Sequence, residues 1–294
     1  MNIKRRLKRI FSNRSARINR SKTGNLFIFI VLLIFGVYSA LPLVLAVLQS
    51  FKPLNELFLY PPRFFVKDFT WDNYLSLFDL MSNSWVPFTR YIFNTVFISV
   101  VGTVGNVIIC SLCAYPLAKH KMPGGKFIFA VIVYSLMINS VVADIANYQT
   151  MSALRLLDTY WSVLLPAFGT SLGLYIMKNF IGVLPDSLFE AAKIDGASEY
   201  RIFWSLVMPN SRPGWLTLGM FSFQGLWNGT NSTYIFSEEL KTLSYALNQI
   251  VAGGISRSGA GAAVTVVMMI VPLLFFIISQ SNIMETMASS GMKD

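Results

Sequence analysis

The stretch LPDSLFEAAKIDGASEYRIFWSLVMPNSRP, from Leu184 to Pro213, differs from the sequence on either side of it. It carries charges, a Ser-x-x-Glu start and an Asp-Gly turn, whereas long uncharged apolar runs precede and follow it. Ser187 and Glu190 have the spacing of a capping box, in which two side chains close the start of a helix. The sequence therefore predicts a water-exposed helical segment between apolar runs.

Two short helices joined by a bend are predicted within this stretch. The first runs from Leu188 to about Ile194, and the second from about Ser198 to Met208. Asp195-Gly196 turns the chain between them, because glycine tolerates a positive φ. The second helix has one apolar face at helical spacing, formed by Tyr200, Phe203, Trp204 and Val207. Pro209 and Pro213 end it, and the product is a shape that fits a groove on another protein.

The composition is that of an integral membrane protein. Of 294 residues, 54% are hydrophobic and 13% charged, with a mean hydropathy of +0.55, whereas soluble domains carry about 25% charged residues. Cys110 and Cys113 lie in an apolar run far from other metal ligands, and the single histidine is His120. We therefore interpret both cysteines as small buried hydrophobes and predict no metal site and no catalytic residue.

Six apolar segments are long enough to cross a membrane, which takes about 20 residues. None contains Asp, Glu, Lys or Arg; they are Leu26–Leu48, Tyr91–Ala118, Phe127–Ala143, Trp161–Met177, Trp215–Phe236 and Ala260–Ser279. The predicted fold class is an all-α integral membrane protein with six transmembrane helices. Its parts are a basic tail (1–25), a transmembrane domain (26–280) with the polar loop 184–213, and a C-terminal tail (281–294).

The basic residues predict the orientation in the membrane. The net charge is +10, and nine of the 24 Lys and Arg residues fall within the first 22 positions. Six spans place both termini on one side. If that side is the cytoplasm, 17 basic residues lie inside and 7 outside, as the positive-inside rule requires. We therefore expect cytoplasmic termini, a cytoplasmic loop 184–213 and no nucleic-acid partner.

The predicted spans carry neutral polar residues and no ionisable residue at mid-membrane. Ion-coupled carriers and proton relays usually place an ionisable side chain there. Uncharged hydrogen-bonding groups beside aromatic rings suit a neutral, hydroxyl-rich solute. The candidate substrate path consists of Asn94, Asn139, Gln224, Trp227 and Asn228. The alternative for each is a hydrogen bond between helices.

A resemblance to a known family is carried by EAAKIDGASEYRIFWSLVMP, which looks like the EAA motif of ABC importer permeases. The matching residues are Glu190, Ala191, Ala192, Asp195, Gly196, Ala197 and Pro209. The opening RYIFNTVFIS of the second span, the GLWN of the fifth and the six-span layout resemble the MalG-type permeases of carbohydrate importers. The resemblance implies the type I ABC importer permease fold in a bacterial cytoplasmic membrane.

The resemblance also implies a mechanism and partners. The polar hairpin would be the coupling helix that docks on an ATPase, with Glu190 as the charged contact, Ala191 and Ala192 allowing close approach, and Gly196 setting the bend. Partners would be a second homologous permease, two ATPase copies and an extracellular or lipid-anchored solute-binding protein that delivers a carbohydrate. The chain has no G-x-x-x-x-G-K-[ST] pattern. It is therefore expected to bind no cofactor, and the separate ATPase would bind ATP and Mg²⁺.

Two other functions are open at this point. One is an ABC permease for a solute other than a sugar, which the whole-chain similarity disfavours. The other is an ion-coupled secondary carrier, which the hairpin and the uncharged spans disfavour. An enzyme in its own right has no support, because no catalytic constellation occurs.

Overall fold

The computed structural model describes residues 22–82 and 85–290, and every regular element in these ranges is helical. The helices are α1 Lys22–Ser50, α2 Leu54–Leu57, α3 Asp72–Ser82, α4 Phe88–Lys119, α5 Gly125–Ser135, α6 Ser140–Ala153, α7 Trp161–Phe168, α8 Ser171–Gly182, α9 Asp186–Ile194, α10 Glu199–Ile202, α11 Arg212–Asn228, α12 Leu243–Val251 and α13 Ser258–Ser290. A π-helical turn, Phe203–Val207, follows α10. Residues 1–21 of the predicted basic tail and 291–294 of the C-terminal tail lie outside the described residues.

Three described helices are long and apolar enough to cross a membrane: Thr23–Ser50, Phe88–Lys119 and Ile255–Gln280. The pair Trp161–Gly182 and Asp186–Ile194, bent by 75°, adds a fourth apolar segment by length and composition. Helix α11, with 17 residues, is slightly shorter than a usual span. The described part of the chain is therefore all-helical, with three or four segments long and apolar enough to cross a membrane.

Three predicted spans differ from the helices that form. The third is broken between Ser135 and Ser140, because Asn139 starts a new helix by accepting a hydrogen bond from the Val141 N–H at 3.0 Å. The fourth is broken at Gly169 and Thr170, and α8 then continues to Gly182. The fifth helix ends at Asn228 rather than Phe236, since a polar Gly-Thr-Asn-Ser run follows.

Helix α4 satisfies the polar groups that the break in the fourth span exposes. The Asn106 amide donates to the Ala167 carbonyl and, at 3.0 Å, to the Thr170 hydroxyl. The Cys110 thiol lies 3.7 Å from the Phe168 carbonyl. Broken helices are tolerated in membranes when neighbours satisfy the freed backbone groups in this way. Cys110 is buried as predicted, but Cys113 is exposed, so that half of the cysteine prediction is wrong.

Helix α4 occupies the centre of the bundle, with α7, α8 and α11 packed against it. Close approach depends on small residues: a Cβ on Gly105 would lie 2.2 Å from the Phe168 ring, and one on Gly173 would lie 2.7 Å from the Cys110 sulfur. Helix α13 packs against α11 and α1. Several glycines of the spans therefore serve helix packing, as small residues commonly do in membranes.

The bundle has two distinct ends. At one end, the last residue of α4, Lys119, contacts the start of the polar hairpin at Asp186. At the opposite end, Asn73 in α3 donates hydrogen bonds to the carbonyls of Ser50, the last residue of α1, and of Lys52 just after it. Arg90 at the start of α4 also lies at this end, where it contacts the Glu239 carbonyl. The hairpin and the long loops therefore lie at opposite ends of α4.

Candidate functional site

The first helix of the polar hairpin begins two residues earlier than the predicted capping box requires. Helix α9 starts at Asp186, and Pro185 precedes it without a side-chain cap. Ser187 thus lies inside the first turn, and the predicted Ser187–Glu190 capping box is wrong. Proline is well placed just before the helix because it has no N–H to leave unpaired. The negative charge of Asp186 at the N-terminus of α9 interacts favourably with the positive end of the helix dipole. Its Oδ1 atom also lies 2.7 Å from Lys119 Nζ.

The bend after α9 is a Schellman motif. Gly196 has φ +74° and donates to the Lys193 carbonyl at 3.0 Å, while the Ala197 N–H donates to the Ala192 carbonyl at 3.0 Å. A left-handed residue with these two hydrogen bonds ends a helix and reverses its direction. Ala192 and Ala197 both pack against the buried cluster under the hairpin. Their small size and the glycine thus fix the bend, which agrees with the turn predicted at Asp195-Gly196.

The second arm begins where the sequence predicts and then departs from a regular helix. Ser198 caps α10 by accepting a hydrogen bond from the Arg201 N–H at 3.3 Å. The π-helical turn follows, and the Met208 N–H donates to Phe203, five residues back. Proline in an α-helix clashes with the carbonyl four residues earlier. A wider turn just before Pro209 relieves that clash, and π-turns are common at functional sites.

The wider turn also changes which side chains of this arm are buried. Phe203 and Val207 are buried, but Tyr200 is 74% exposed and Trp204 39% exposed. The prediction of one apolar face formed by all four is therefore wrong, since the seven-residue spacing no longer returns to the same side. Pro209 does not end the arm either, because helical residues continue to Asn210 and α11 begins at Arg212.

A cluster of polar contacts joins the hairpin to the end of α4. The buried Tyr115 donates its hydroxyl hydrogen to Glu199 Oε2 at 2.6 Å. Lys193 Nζ lies 3.0 Å from Glu199 Oε1, and His120 Nε2 lies 3.6 Å from Glu199 Oε2. The hydrogen bond from Tyr115, followed by that from Lys193, lowers the pKa of Glu199 below its ordinary value. This carboxylate therefore ties both arms of the hairpin to α4.

Lys119 and Phe189 form a second junction. The Lys119 ammonium donates to the Leu184 carbonyl at 2.5 Å and lies 5.1 Å from the centre of the Phe189 ring. Phe189 is buried beside Tyr115, at 6.1 Å between ring centres, in a cluster that includes Ile202 and Phe203. The hairpin is therefore packed and hydrogen-bonded to the bundle, and the two would move as one body.

The opposite surface of the hairpin has no partner within this chain. Glu190 and Ala191 are exposed, and the Glu190 carboxylate has no hydrogen bond or ion pair with any residue that the structure describes. Ile194 beside the bend is 86% exposed, and Leu188 is 41% exposed. Exposed apolar side chains next to the carboxylates of Glu190 and Asp195 on a rigid bend have the chemistry of a protein contact.

The larger of two polar cavities beside α11 has a volume of about 650 Å³. It lies between α11, α12 and α13. Gln224 and Asn228 line it from α11, and Ser244 and Asn248 from α12. Phe223, stacked on Phe275 at 4.4 Å, forms part of its wall, and the cavity is lined by no charged residue. Two of the five predicted substrate residues are thus brought together.

The other three predicted substrate residues have structural contacts. Asn94 is fully buried and donates to the Glu239 and Lys241 carbonyls, both at 2.8 Å. Asn139 caps α6. Trp227 is buried and donates its indole N–H to the Met268 carbonyl at 3.2 Å. Only the Trp227 contact is the hydrogen bond between helices that the alternative interpretation gave, since Asn94 bonds to the loop before α12 and Asn139 to its own helix.

A smaller cavity of about 340 Å³ lies on the other side of α11 and was not predicted. Its polar lining comes from Asp144, Asn147, Ser162, Thr170, Ser222, Asn231 and Tyr234. The Tyr234 hydroxyl donates to Asp144 Oδ1 at 3.1 Å. The Asn231 amide nitrogen is buried without a hydrogen-bond partner. Asp144 directly follows the predicted third span. An acidic residue at the end of a span was the one feature of the sequence that could have indicated this cavity.

A helical bundle with membrane-crossing segments, a rigid polar hairpin at one end and cavities lined by amides and hydroxyls is typical of a transport protein. Residues 106–287 match the family model of the binding-protein-dependent transport system inner membrane component. The chain belongs to this family, which confirms the resemblance carried by the hairpin.

Relatives and solved structures agree with this assignment. The chain is 34% identical to Protein LplC of Bacillus subtilis over 72% of this chain and 70% of LplC. It is 28% identical to the polygalacturonan/rhamnogalacturonan transport system permease protein YtcP of the same species, over 83% and 85% of the two chains. A bacterial ABC transporter that imports the acidic polysaccharide alginate has the same fold, with a TM-score of 0.72 and 20% identity over 90% of this chain and 99% of that one.

Proposed function

We propose that this chain is a membrane-spanning permease subunit of an ATP-driven importer that takes up a carbohydrate, in the form of an oligosaccharide. The observation that carries the proposal is the hairpin in a chain of this family. Its inner surface is fixed to α4, and its outer surface, which has no partner among the described residues, exposes Leu188 and Ile194 beside the Glu190 carboxylate. Such an element transmits a push from a partner to the bundle. Both termini and the hairpin would face the cytoplasm, with six spans in total.

The coupling step follows from the contacts of the hairpin. A cytoplasmic ATPase would bind the exposed surface at Glu190, Ala191 and Ile194. Movement of the ATPase would then displace the hairpin, and the junctions at Glu199 and Lys119 would carry the displacement into α4. ATP and Mg²⁺ would be bound by two ATPase copies. A second homologous permease would complete the membrane part.

A carbohydrate is the solute that the cavities and relatives favour. Both cavities offer amides and hydroxyls, and the larger one also offers an aromatic wall. These groups can bind sugar hydroxyls and the apolar faces of sugar rings. YtcP and the arabinooligosaccharides permease AraQ of Halalkalibacterium halodurans, 27% identical over 80% of this chain, are carbohydrate permeases by name. We therefore propose that the solute contacts Gln224 and Asn228 in the larger cavity, and that it also passes through the smaller cavity.

The experiment that tests the proposal is purification of the tagged chain from native membranes in mild detergent, followed by mass spectrometry. We expect a second permease, an ATPase with a Walker motif and an extracellular or lipid-anchored solute-binding protein to copurify. Calorimetry of that binding protein against neutral oligosaccharides would then identify the solute.

Two outcomes would contradict the proposal in different ways. Recovery of the chain alone, with transport that follows an ion gradient and continues without ATP, would identify a secondary carrier. Recovery of the complete complex with a binding protein that ignores saccharides would leave the coupling mechanism intact and change the solute.

A further inference from the structure

A groove of about 1050 Å³ lies at the end of α4 opposite the hairpin, which the proposed orientation places outside the cell. It is bounded by the residues that lead into α4, by Arg90 and Phe93, and by the loop from Ser237 to Glu239. The volume is slightly above the usual range for small-molecule sites, about 300–1,000 Å³. It therefore has room for more than one sugar ring.

Buried hydrogen bonds fix the wall of this groove. The two bonds from Asn94 to the Glu239 and Lys241 carbonyls hold the loop against α4, and the Tyr160 hydroxyl donates to Asn94 Oδ1 at 2.7 Å. The Leu243 N–H donates to the Thr95 hydroxyl at 2.7 Å. The loop is thus positioned before any ligand arrives, which lowers the entropic cost of binding.

Several polar groups in the groove have unused hydrogen-bonding capacity. Arg90 donates through Nε to the Glu239 carbonyl at 3.2 Å, and its guanidinium has no carboxylate within ion-pair distance among the described residues. Glu238 accepts from the Tyr91 hydroxyl at 2.7 Å through one of its two oxygens. In the described part of the chain, the Glu239 carboxylate has no hydrogen bond or ion pair.

Trp85 at the rim is 98% exposed, although an indole ring is costly to leave in water. Sugar rings present apolar C–H faces that pack on such a ring, and their neighbouring hydroxyls match the paired N–H groups of arginine and the paired oxygens of carboxylates. One guanidinium beside two carboxylates gives no excess of positive charge to attract an acidic sugar. The groove therefore has the groups expected of a site for neutral saccharides.

We propose that this groove is a saccharide-binding site. It holds part of a neutral oligosaccharide at the outer face while the first sugar unit of that oligosaccharide enters the bundle. Trp85 supplies the stacking surface, and Arg90 and Glu239 supply hydrogen bonds to neighbouring hydroxyls. The inference rests on the proposed function and adds a site outside the span cavities. It predicts that the groove matters for long solutes and not for short ones.

The test is uptake by the complete complex in proteoliposomes, with the saccharide identified above supplied at several chain lengths. We expect Trp85→Ala and Arg90→Lys each to lower uptake of the longer saccharides about five- to tenfold, and Trp85→Tyr to restore it. Uptake of the shortest transported saccharide and ATP hydrolysis stimulated by the binding protein should change less than about twofold. The matched control is Phe65→Ala, since Phe65 is also well exposed, in the loop between α2 and α3, and lies outside the groove.

Three results would overturn this site. An equal loss at all chain lengths together with lost stimulation of ATP hydrolysis would identify the groove as a docking surface for the binding protein. No effect of any variant would identify Trp85 as an aromatic residue of the membrane interface. Failure of the unmodified complex to transport any saccharide would contradict the proposed function itself, and the groove proposal would fall with it.

Discussion

The hairpin 184–213 and the cavities beside α11 differ in how far apart in the sequence their parts lie. The bend of the hairpin is made by neighbours: Ala192, Gly196 and Ala197 form it with two hydrogen bonds. The smaller cavity joins Asp144 in α6 to Ser222 in α11 and to Asn231 in the following loop. A local structure is readable from a motif, whereas a cavity depends on the packing of the whole bundle.

The largest expected effect is at the bend. Gly196 has φ +74°, and a Cβ at this position would meet no atom within 4 Å. Glycine is therefore required by the left-handed backbone conformation and not by a lack of space for a side chain. A left-handed conformation costs an ordinary residue about 1–2 kcal/mol, and it is least tolerated by a β-branched residue. We expect Gly196→Val to abolish ATP-dependent uptake in proteoliposomes. Gly196→Asn is the control, because asparagine tolerates this conformation, and it should keep most of the activity.

Retained uptake by Gly196→Val would show that the bend need not be rigid for coupling. Loss of the ATPase from the purified complex would instead place the defect in docking. Measuring copurified ATPase beside uptake separates these two results.

The next largest effect is expected from filling the smaller cavity. Gly225 lines it, and a Cβ at this position meets no atom within 4 Å. We expect Gly225→Leu to lower uptake about tenfold or more, since even one methylene in a pocket changes specificity about 10–200-fold. Gly36→Leu is the matched control, because Gly36 in α1 also has open space around it and lies far along the chain from either cavity.

If Gly225→Leu and Gly36→Leu transport equally well, the smaller cavity is not on the solute path. If Gly225→Leu no longer copurifies with the second permease, the open space beside Gly225 is a subunit contact. Thermal unfolding of both variants in detergent provides the check that each folds.

A third prediction separates two of the predicted substrate residues. Asn94→Ala would remove the side-chain partner of the Lys241 carbonyl and of the Tyr160 hydroxyl, at about 1–3 kcal/mol for each buried group, and would leave the Glu239 carbonyl with Arg90 alone. We therefore expect it to lower the unfolding temperature by several degrees. Gln224→Ala, in the larger cavity, should leave that temperature nearly unchanged and raise the KM for the solute. The opposite pattern would return Asn94 to the substrate path and remove Gln224 from it.

The comparison of the hairpin with the cavities shows which parts of the molecule can be predicted from the sequence. The membrane class, the glycine bend and the start of the second arm near Ser198 follow from local composition and turn chemistry, and the family follows from the hairpin motif. The break at Gly169 and Thr170 was not predictable, because it is stabilised by Asn106, more than 60 residues earlier in the chain. Asp144 was overlooked for the same reason: its partner, Tyr234, is 90 residues away. The capping box failed because Pro185 and Lys119 provide another start for α9.

The smallest expected effect is the pH dependence of the junction between the hairpin and α4. The hydrogen bond from Tyr115, more than that from Lys193, lowers the pKa of Glu199. A carboxylate whose pKa is lower when folded adds stability above its unfolded pKa of about 4.3, and this stability is lost as pH falls through the folded value. Glu199 is half exposed, so solvent screening limits the contribution to about 1 kcal/mol or less.

Between pH 5 and 8 we therefore expect the charge of Glu199 not to change, and the unfolding temperature of the purified complex not to depend on it. Below about pH 4 the unfolding temperature should fall by a few degrees more in the unmodified chain than in Glu199→Gln. Tyr115→Phe should move the fall to higher pH, because it removes the main cause of the lowered pKa. Asp79→Asn is the control, since Asp79 in α3 is an exposed carboxylate, away from the hairpin, whose side chain has no hydrogen bond or ion pair with the described residues. If Glu199→Gln and Asp79→Asn behave alike, Glu199 does not fasten the hairpin, and the packing of Phe189 and Phe203 alone must transmit the push.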